Sequence, residues 1–542
     1  MKRDLSRLAD TTFDLLIIGG GITGAATARD ATLRGLKVAL IEGGDFAHAT
    51  SAHNSKLIHG GLRYLRNFEL GLVRESLRER RIWQRIAPHM VSALPFLVPL
   101  YGTGRGARMT LAVGLTLYDA LSFDRTWLAD PAQRLPAHGW LGAGAAAQRE
   151  PSLAGKDFEG AFLYYDAQMY APERLALECV LAAADQGAAC ANYLAAEGLL
   201  LRSGRVEGAQ VRDRESGAQF DILASRTLLA AGPWSDLFLE QALGQKTATR
   251  LLRSKGIHVV VPAMTRTDAL TVATPHGHFF VLPWRGHTLL GTTDTAFDAH
   301  PDQVSVTPRD IETLFAQVNA FLPQSDLKLS DVEYFYAGLR PLVADEGTED
   351  TYGASRRSEL IDHGKTDGIA ELYSAVGGKW TTSRRLAEQI VDHLAPRYER
   401  PLRPCTTART PLPGGAIARI ETFLGQYARE LPALNHAHLA RLYGTRLPEV
   451  LSASAASPNL LEPIAPSGDI GAQVVYAVQH EMARTLEDVV MRRTGIGQLG
   501  APPSHVLPEV ARLMAAELGW DEERQSAEIA AVGRNFRLGG DA

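Results

Sequence analysis

Three consecutive glycines close an apolar run near the start of this chain. Leu15 to Ile18 is followed by Gly19-Gly20-Gly21-Ile22-Thr23-Gly24. The run reads as a short, buried parallel strand. The glycine cluster matches G-x-G-x-x-G, and Ala25 to Arg34 has helix-forming composition. Gly35 stops that helix, and Lys37 to Ile41 reads as a second strand ending at Glu42. Together they make a βαβ unit. Its glycines let backbone come close to a pyrophosphate, which then meets the N–H groups and dipole of a helix N-terminus. An acid about 20 residues beyond the loop accepts hydrogen bonds from a ribose. Gly19, Gly20, Gly21, Ile22, Thr23, Gly24 and Glu42 are therefore the expected dinucleotide contacts. The motif alone does not separate a nicotinamide from a flavin dinucleotide.

The next stretch narrows the choice. Thr50 to Leu65, TSAHNSKLIHGGLRYL, is rich in small and polar residues and carries Lys56, His59, Gly60, Gly61, Arg63 and Tyr64. It fits neither a surface loop nor an ordinary helix and reads as backbone passing close to a cofactor ring. Beyond it, Phe68 to Ile86 is charge-laden and helix-like, a pattern that predicts a solvated face. Leu94 to Leu100, with Pro95 and Pro99, reads as loop or edge strand. Met109 to Leu121 follows Arg105 and Arg108 and fits either a core helix or a helix lying in a membrane interface. Its pattern leans toward the core.

A helix is expected from Pro172 to Gln186, then a meander of strands that ends in Ala230-Ala231-Gly232-Pro233-Trp234. There a strand closing on small residues lets backbone approach a ligand. Residues 250–335 are β-rich, with His258 on a strand, and Gly338-Leu339-Arg340-Pro341-Leu342 closes that sheet. Leu372 to Val376 runs into Gly377-Gly378-Lys379-Trp380-Thr381-Thr382 and a helix from Ser383 to Leu394, a second strand–glycine–helix junction. Arg397 to Gly415 holds four prolines and reads as a linker. Helices follow at Ala416–Glu430, Ala437–Tyr443, Val474–Arg493 and Pro508–Leu518. In the third, Val475, Val478, Met482, Leu486 and Val489 recur at helical spacing. His480-Glu481-Met482-Ala483-Arg484 misses the second histidine of H-E-x-x-H, so no metal site is expected.

Bulk properties exclude some classes. A length of 542 residues allows roughly three domains at ~150 residues each. Hydrophobic residues at 45% and charged residues at 22% suit a globular protein with a full core. A net charge of -5 gives no global pull toward nucleic acid. The three cysteines, Cys179, Cys190 and Cys405, have no metal-type spacing and read as buried thiols in a reducing compartment. The N-terminal residues lack a signal peptide's apolar core, and no apolar run reaches the ~18 residues of a spanning helix. A cytoplasmic protein is expected.

In order along the chain stand GGGIxG with Glu42, SKLIHGGLRYL, AAGPW, SKGIHVVVP, GTTD, GLRPL, GGKWTT and HEMARTLEDVVMRR. This series, from about Asp14 to about Thr494, resembles the FAD-dependent glycerol-3-phosphate dehydrogenases of aerobic respiration. Ala231, where threonine is common, and His53-Asn54, where small residues are usual, depart from the pattern. The resemblance implies an α/β fold: a Rossmann-like FAD-binding domain of the glutathione-reductase/D-amino-acid-oxidase type, interleaved with a β-rich substrate domain, plus a C-terminal all-helical domain. The expected boundaries are 1–395 for the FAD-binding part (with its sheet at about 91–150 and 236–335), 396–415 for the linker and 416–542 for the helices. It also implies oxidation of sn-glycerol 3-phosphate to dihydroxyacetone phosphate, electrons leaving FAD for a membrane quinone, and a homodimer attached peripherally to the cytoplasmic face of the inner membrane.

The resemblance carries roles as well. Arg340, Arg356 and Lys379 match positions that hold substrate, as phosphate requires of arginine forks and a lysine charge. Arg357, adjacent to Arg356, competes for that role. Arg340 is expected to orient the C2 hydroxyl and stabilise charge on its oxygen. The departing proton wants a base, and His59 and His258 are both candidates. Tyr64 contacts substrate or flanks the ring. Ser55 and Lys56 are expected near the isoalloxazine, with Gly60, Gly232 and Gly378, Thr381 and Thr382 completing the pocket. Two related readings stand beside this one: a glycerol-3-phosphate oxidase using oxygen, and an amine- or amino-acid-oxidising flavoprotein of the same fold.

Overall fold

The computed structural model describes all residues except 103, 248, 275–276, 323, 344–357, 432–434, 456 and 539–542. Arg356 thus lies outside the described residues, and so does Arg357. The glycine-rich start folds as its spacing predicts. Leu15–Ile18 is a fully buried strand, Ile22–Leu33 the helix and Val38–Ile41 the second strand. They are part of a six-stranded sheet in the order Ser358–Asp362, Leu372–Gly377, Thr227–Leu229, Leu15–Ile18, Val38–Ile41, Ala189–Ala191. All neighbours run parallel except the first pair. Leu15, Ile17, Val38 and Leu40 pack on the helices Ile22–Leu33, Pro172–Asp185 and Ser383–Leu394 in one apolar core. Two-sided burial explains why these strands are continuous apolar runs rather than alternating ones.

A second, ten-stranded sheet carries the other wall of the molecule. Its longest pairing joins Leu251–Pro262 to Tyr334–Val343, antiparallel, with Ser254 opposite Arg340 and Gly256 opposite Gly338. Val91–Tyr101 lies inside this sheet, between Phe158–Met169 and Ala269–Thr274. The prolines at 95 and 99 therefore do not mark a loop or an edge. Ala269 and Leu270 meet this strand at Phe96 and Leu97, so neither proline interrupts that ladder.

Two helices depart from their sequence patterns. The charged helix Leu70–Ile86 is largely buried rather than solvated, because its charges are matched internally. Arg384 grips Glu79 with two bonds of 2.6 Å, and Arg80 pairs with Asp166. The helix Gly104–Leu121, expected to lean toward the core, buries only Leu115 and Tyr118. Met109 is 66% exposed and Val113 61%, beside exposed Phe68, Phe123 and Trp127.

The C-terminal residues form helices at Ile420–Glu430, His436–Tyr443, Leu447–Ser452, Gly471–His480, Val506–Leu518 and Glu522–Arg534. The long helix expected from Val474 to Arg493 breaks after His480. Glu481 there turns its carboxylate to Arg174 (2.5 and 2.7 Å), and Met482 takes φ +55°. The chain then re-coils as a short π-helical turn, Asp488–Arg493. The segment before these helices is irregular but not loose. Arg29, on the first helix of the nucleotide fold, donates to the carbonyls of Thr407 and Thr410, and Arg34 to that of Arg403.

Candidate active site

One elongated cavity of about 1450 Å³ runs between the two sheets. At one end lies the glycine loop. Gly19 has φ +114°, and a Cβ on it would come 2.4 Å from the Ala230 carbonyl oxygen. A Cβ on Gly24 would sit 1.9 Å from the Gly19 oxygen, so side chains are excluded from both sides of the turn. Gly21 caps the helix without any side-chain bond, and the N–H of Ile22 donates to Ser51 Oγ at 2.9 Å. Gly19, Gly21, Ile22, Thr23 and Glu42 face the cavity. Gly20 and Gly24 stand behind it: Gly20 packs on Phe46 and donates its N–H to Glu42 Oε2 (2.7 Å). The other Glu42 oxygen accepts from the Gly44 N–H at 2.8 Å. A cradle closed to side chains, a helix terminus capped by glycine and an acid at the next strand end fit the pyrophosphate and ribose of a dinucleotide.

The middle of the cavity collects groups from distant segments. Arg340 leaves its strand across Gly256, where a Cβ would lie 2.3 Å from Nη2. Its guanidinium donates to Ser254 Oγ (3.0 Å), Thr292 Oγ1 (2.6 Å) and the Thr293 carbonyl (3.0 Å). Ser254 in turn donates to Asp294 at 2.5 Å. A guanidinium fixed this way is a rigid cation at the cavity wall. Lys379 follows Gly377 and Gly378, both at positive φ, and its Nζ lies 4.5 Å from the centre of the Tyr64 ring. The Arg63 guanidinium lies 5.0 Å from the same ring, so Tyr64 gathers two cations. Arg340, Lys379, Arg63 and Tyr64 line one cavity.

Both candidate histidines also reach it. The His59 backbone is pinned by Thr381, whose Oγ1 accepts its N–H at 3.2 Å. His258 is buried and shares a 2.9 Å hydrogen bond between Nε2 and Ser55 Oγ. Its Nδ1 is buried with no hydrogen-bond partner among the described residues. Burial first, then the charges of Arg340, Lys56 and His53, hold the imidazole well below its ordinary pKa. It is therefore neutral at pH 7 and keeps a lone pair to accept a proton. His53 is lowered the same way, to about 4.

Ser55, Gly232, Gly378 and Thr381 also line the cavity, where the sequence puts them. Lys56, Gly60 and Thr382 do not. Lys56 has φ +56° and turns inward, away from the wall. Gly60 is packed against Leu77, and its N–H donates to the Tyr118 hydroxyl (2.9 Å), which itself bonds Asp166. Thr382 is buried under the junction. Nothing in the sequence singles out Arg63, Ser51, Gly256 or the Ser254–Asp294 support for a role of its own. For Gly256 the only signal is a glycine inside a strand, which marks a close approach.

Beyond Tyr64 the cavity turns apolar. Leu62, Leu65, Phe96, Val98, Phe280 and Leu111 wall this arm, and Leu111 belongs to the exposed helix Gly104–Leu121. No helix among the described residues is long and apolar enough to cross a membrane, and no group of metal-ligating side chains is found among them.

Comparison with known proteins agrees with this geometry. The family model described as FAD dependent oxidoreductase matches residues 14–392, and that of the C-terminal domain of alpha-glycerophosphate oxidase matches 405–525. The glycerol-3-phosphate dehydrogenase of Synechocystis is 36% identical over 97% of each chain. The aerobic glycerol-3-phosphate dehydrogenase of Bacillus subtilis is 33% identical over 91% of this chain and 89% of its own. The solved FAD complex of the glycerol-3-phosphate dehydrogenase from Bacillus halodurans superposes with a TM-score of 0.77 at 28% identity, over 98% of this chain and 96% of its own. With FAD as the dinucleotide its glycine cradle accepts, the chain belongs to the FAD-dependent glycerol-3-phosphate dehydrogenase family.

Proposed function

We propose that this protein oxidises sn-glycerol 3-phosphate to dihydroxyacetone phosphate and passes the electrons to a lipophilic quinone. The observation that carries the first part is the grouping of Arg63, Tyr64, Arg340 and Lys379 on the cavity that also holds the neutral His258. A phosphate dianion is matched by arginine forks and a lysine charge. Arg340 holds the C2 oxygen and stabilises its developing negative charge, and Arg63 and Lys379 hold the phosphate. Arg356 is proposed as a further phosphate ligand on the family pattern alone. As the carbinol C–H leaves as hydride, the hydroxyl proton passes to His258. Bound FAD supplies the two-electron oxidant. His258 works only when neutral, so activity is lost as pH falls through its lowered pKa and is retained above it. Anaerobic substrate should bleach the flavin spectrum of the wild type, and His258→Asn should slow that step about 10²-fold or more. Full-speed bleaching by His258→Asn would pass the role to His59.

The apolar arm under the helix Gly104–Leu121 favours quinone over oxygen, since oxygen needs no greasy path. The exposed apolar residues of that helix, with Arg105 and Arg108 at its start, suit a peripheral seat on an anionic bilayer. We read the protein as a homodimer on the cytoplasmic face of the inner membrane. Pre-reduced enzyme mixed with oxygen or with a short-chain quinone is expected to reoxidise faster with the quinone. Faster reoxidation by oxygen would identify an oxidase.

A further inference from the structure

Lys56 stands between two cavity-facing residues, Ser55 and Leu57, yet its own side chain runs the opposite way. It is 4% exposed. Its Nζ lies 4.5 Å from the centre of the Trp284 ring, 5.2 Å from that of Tyr336 and 3.9 Å from Glu173 Oε2. An ammonium buried this deeply is costly unless its charge is used or matched. Glu173 matches it only at a distance. The other Glu173 oxygen accepts from the side-chain amide of Gln498, whose Oε1 accepts from Arg285 at 2.6 Å. Gln498 belongs to the C-terminal helical part of the chain. Tyr336 in turn stacks on His258 (centroids 5.1 Å, planes 21° apart) and on His53 (5.4 Å, 26°). The Tyr336 hydroxyl donates to the Asn54 carbonyl at 2.7 Å, and the Lys56 N–H donates to Asn54 Oδ1 at 2.8 Å.

We propose that Lys56 is a positioning residue for the oxidation: its ammonium, braced by Glu173 and through Gln498 by the C-terminal helices, seats the Tyr336 ring against His258 and presents a fixed positive charge behind it. The inference rests on His258 as the proton acceptor. The groups that face His258 are Ser55, Lys56 and His53 from the cofactor loop and Tyr336 and Arg340 from the strand Tyr334–Val343. Those that face Lys56 are Glu173, Arg285, Trp284 and Tyr336. Cations behind a neutral base keep it neutral to lower pH, so removing one raises the pH at which it protonates. The same arrangement makes the helical part a brace for the His258 ring, although none of its described residues lines the cavity.

The test is Lys56→Met in the flavin-loaded full-length protein. Expected are a wild-type flavin spectrum, a kcat lowered about 10-fold with KM within about 2-fold, and an acid limb of the pH profile moved up by about 0.5–1 unit. Lys56→Arg, which keeps the charge, should return the limb to its wild-type position. A readout independent of turnover is the imidazole NMR signal that His258→Asn removes, which should titrate higher by the same amount in Lys56→Met. If Lys56→Met does not load flavin, Lys56→Gln, which keeps a donor for Glu173, is measured in its place. An unmoved limb and an unmoved imidazole titration in the flavin-loaded variant overturn the proposal, even if kcat falls. Wild-type activity in His258→Asn would instead overturn the reading of the base, and with it the positioning role of Lys56, whatever the imidazole titration shows.

Discussion

The two halves of the cavity are built on different plans. The core of the dinucleotide half comes from one continuous stretch, Leu15 to Glu42, with Ser51 and Ala230 packed against its turn. The proposed substrate half is gathered from Arg63, His258, Arg340 and Lys379, on four separate segments: two paired strands, a short helical turn and the glycine junction that ends a strand of the other sheet. The first half depends on the absence of side chains, and the second on a few side chains held at the right place. A local site should therefore break by adding atoms, and a distributed one by removing them or loosening their supports.

The largest effect should come from Gly24→Val. Its branched side chain starts 1.9 Å from the Gly19 oxygen, so the turn cannot close. The purified protein should be colourless and inactive, and a yellow, active variant would break the contrast. Arg340→Ala should keep its flavin and lose about 10³-fold in kcat/KM, read from steady-state rates beside the visible spectrum. Asp45→Ala attacks a third kind of construction, the join between the parts. Asp45 accepts from Arg492 (2.6 Å) and twice from Arg493 (2.7 Å), all buried, and the two guanidinium groups pull its carboxyl well below the usual range. Removing it leaves two buried cations short of a partner and should cost about 3–5 kcal/mol in denaturant unfolding. Gly256→Ala adds one carbon where Arg340 passes and should lower kcat/KM by about 10-fold or more without loss of flavin, which separates support from contact. The smallest effect on chemistry should be that of Met109→Asp with Val113→Asp. Turnover with a soluble dye acceptor should stay near wild type, while sedimentation with phosphatidylglycerol vesicles should fall several-fold.

The same contrast explains what could be read in advance. The βαβ unit was legible because strand, turn, helix and acid follow at fixed intervals, and each has a local cause. Arg340 and Lys379 were legible only by resemblance, since nothing in their own neighbourhoods aims them at one cavity. Arg63 carries no sequence signal because its place beside Lys379 depends on the Tyr64 ring between them, and Lys379 comes from a junction far along the chain. Lys56 was placed at the ring on its position in the stretch, but a left-handed φ at a non-glycine residue reversed it, and no composition signal announces that. The charged helix Leu70–Ile86 misled for a related reason: a run of charges looks solvated until its partners, Asp166 and Glu79 with Arg384, are brought in by the fold. The outer helix misled the other way. Its apolar residues suggested a core that the fold does not place over them.

Arg29 carries a last consequence. It is buried in the first helix of the nucleotide fold, and it spends its donors on carbonyls of Thr407 and Thr410. Those residues lie past the end of the first family match, at 392, and just inside the second, which begins at 405. Anyone shortening this protein to its flavin-carrying part would cut away the very atoms that satisfy a guanidinium with nowhere else to turn. A cut after Gly415 would spare those carbonyls but would still strip Asp45 of Arg492 and Arg493 and Arg174 of Glu481.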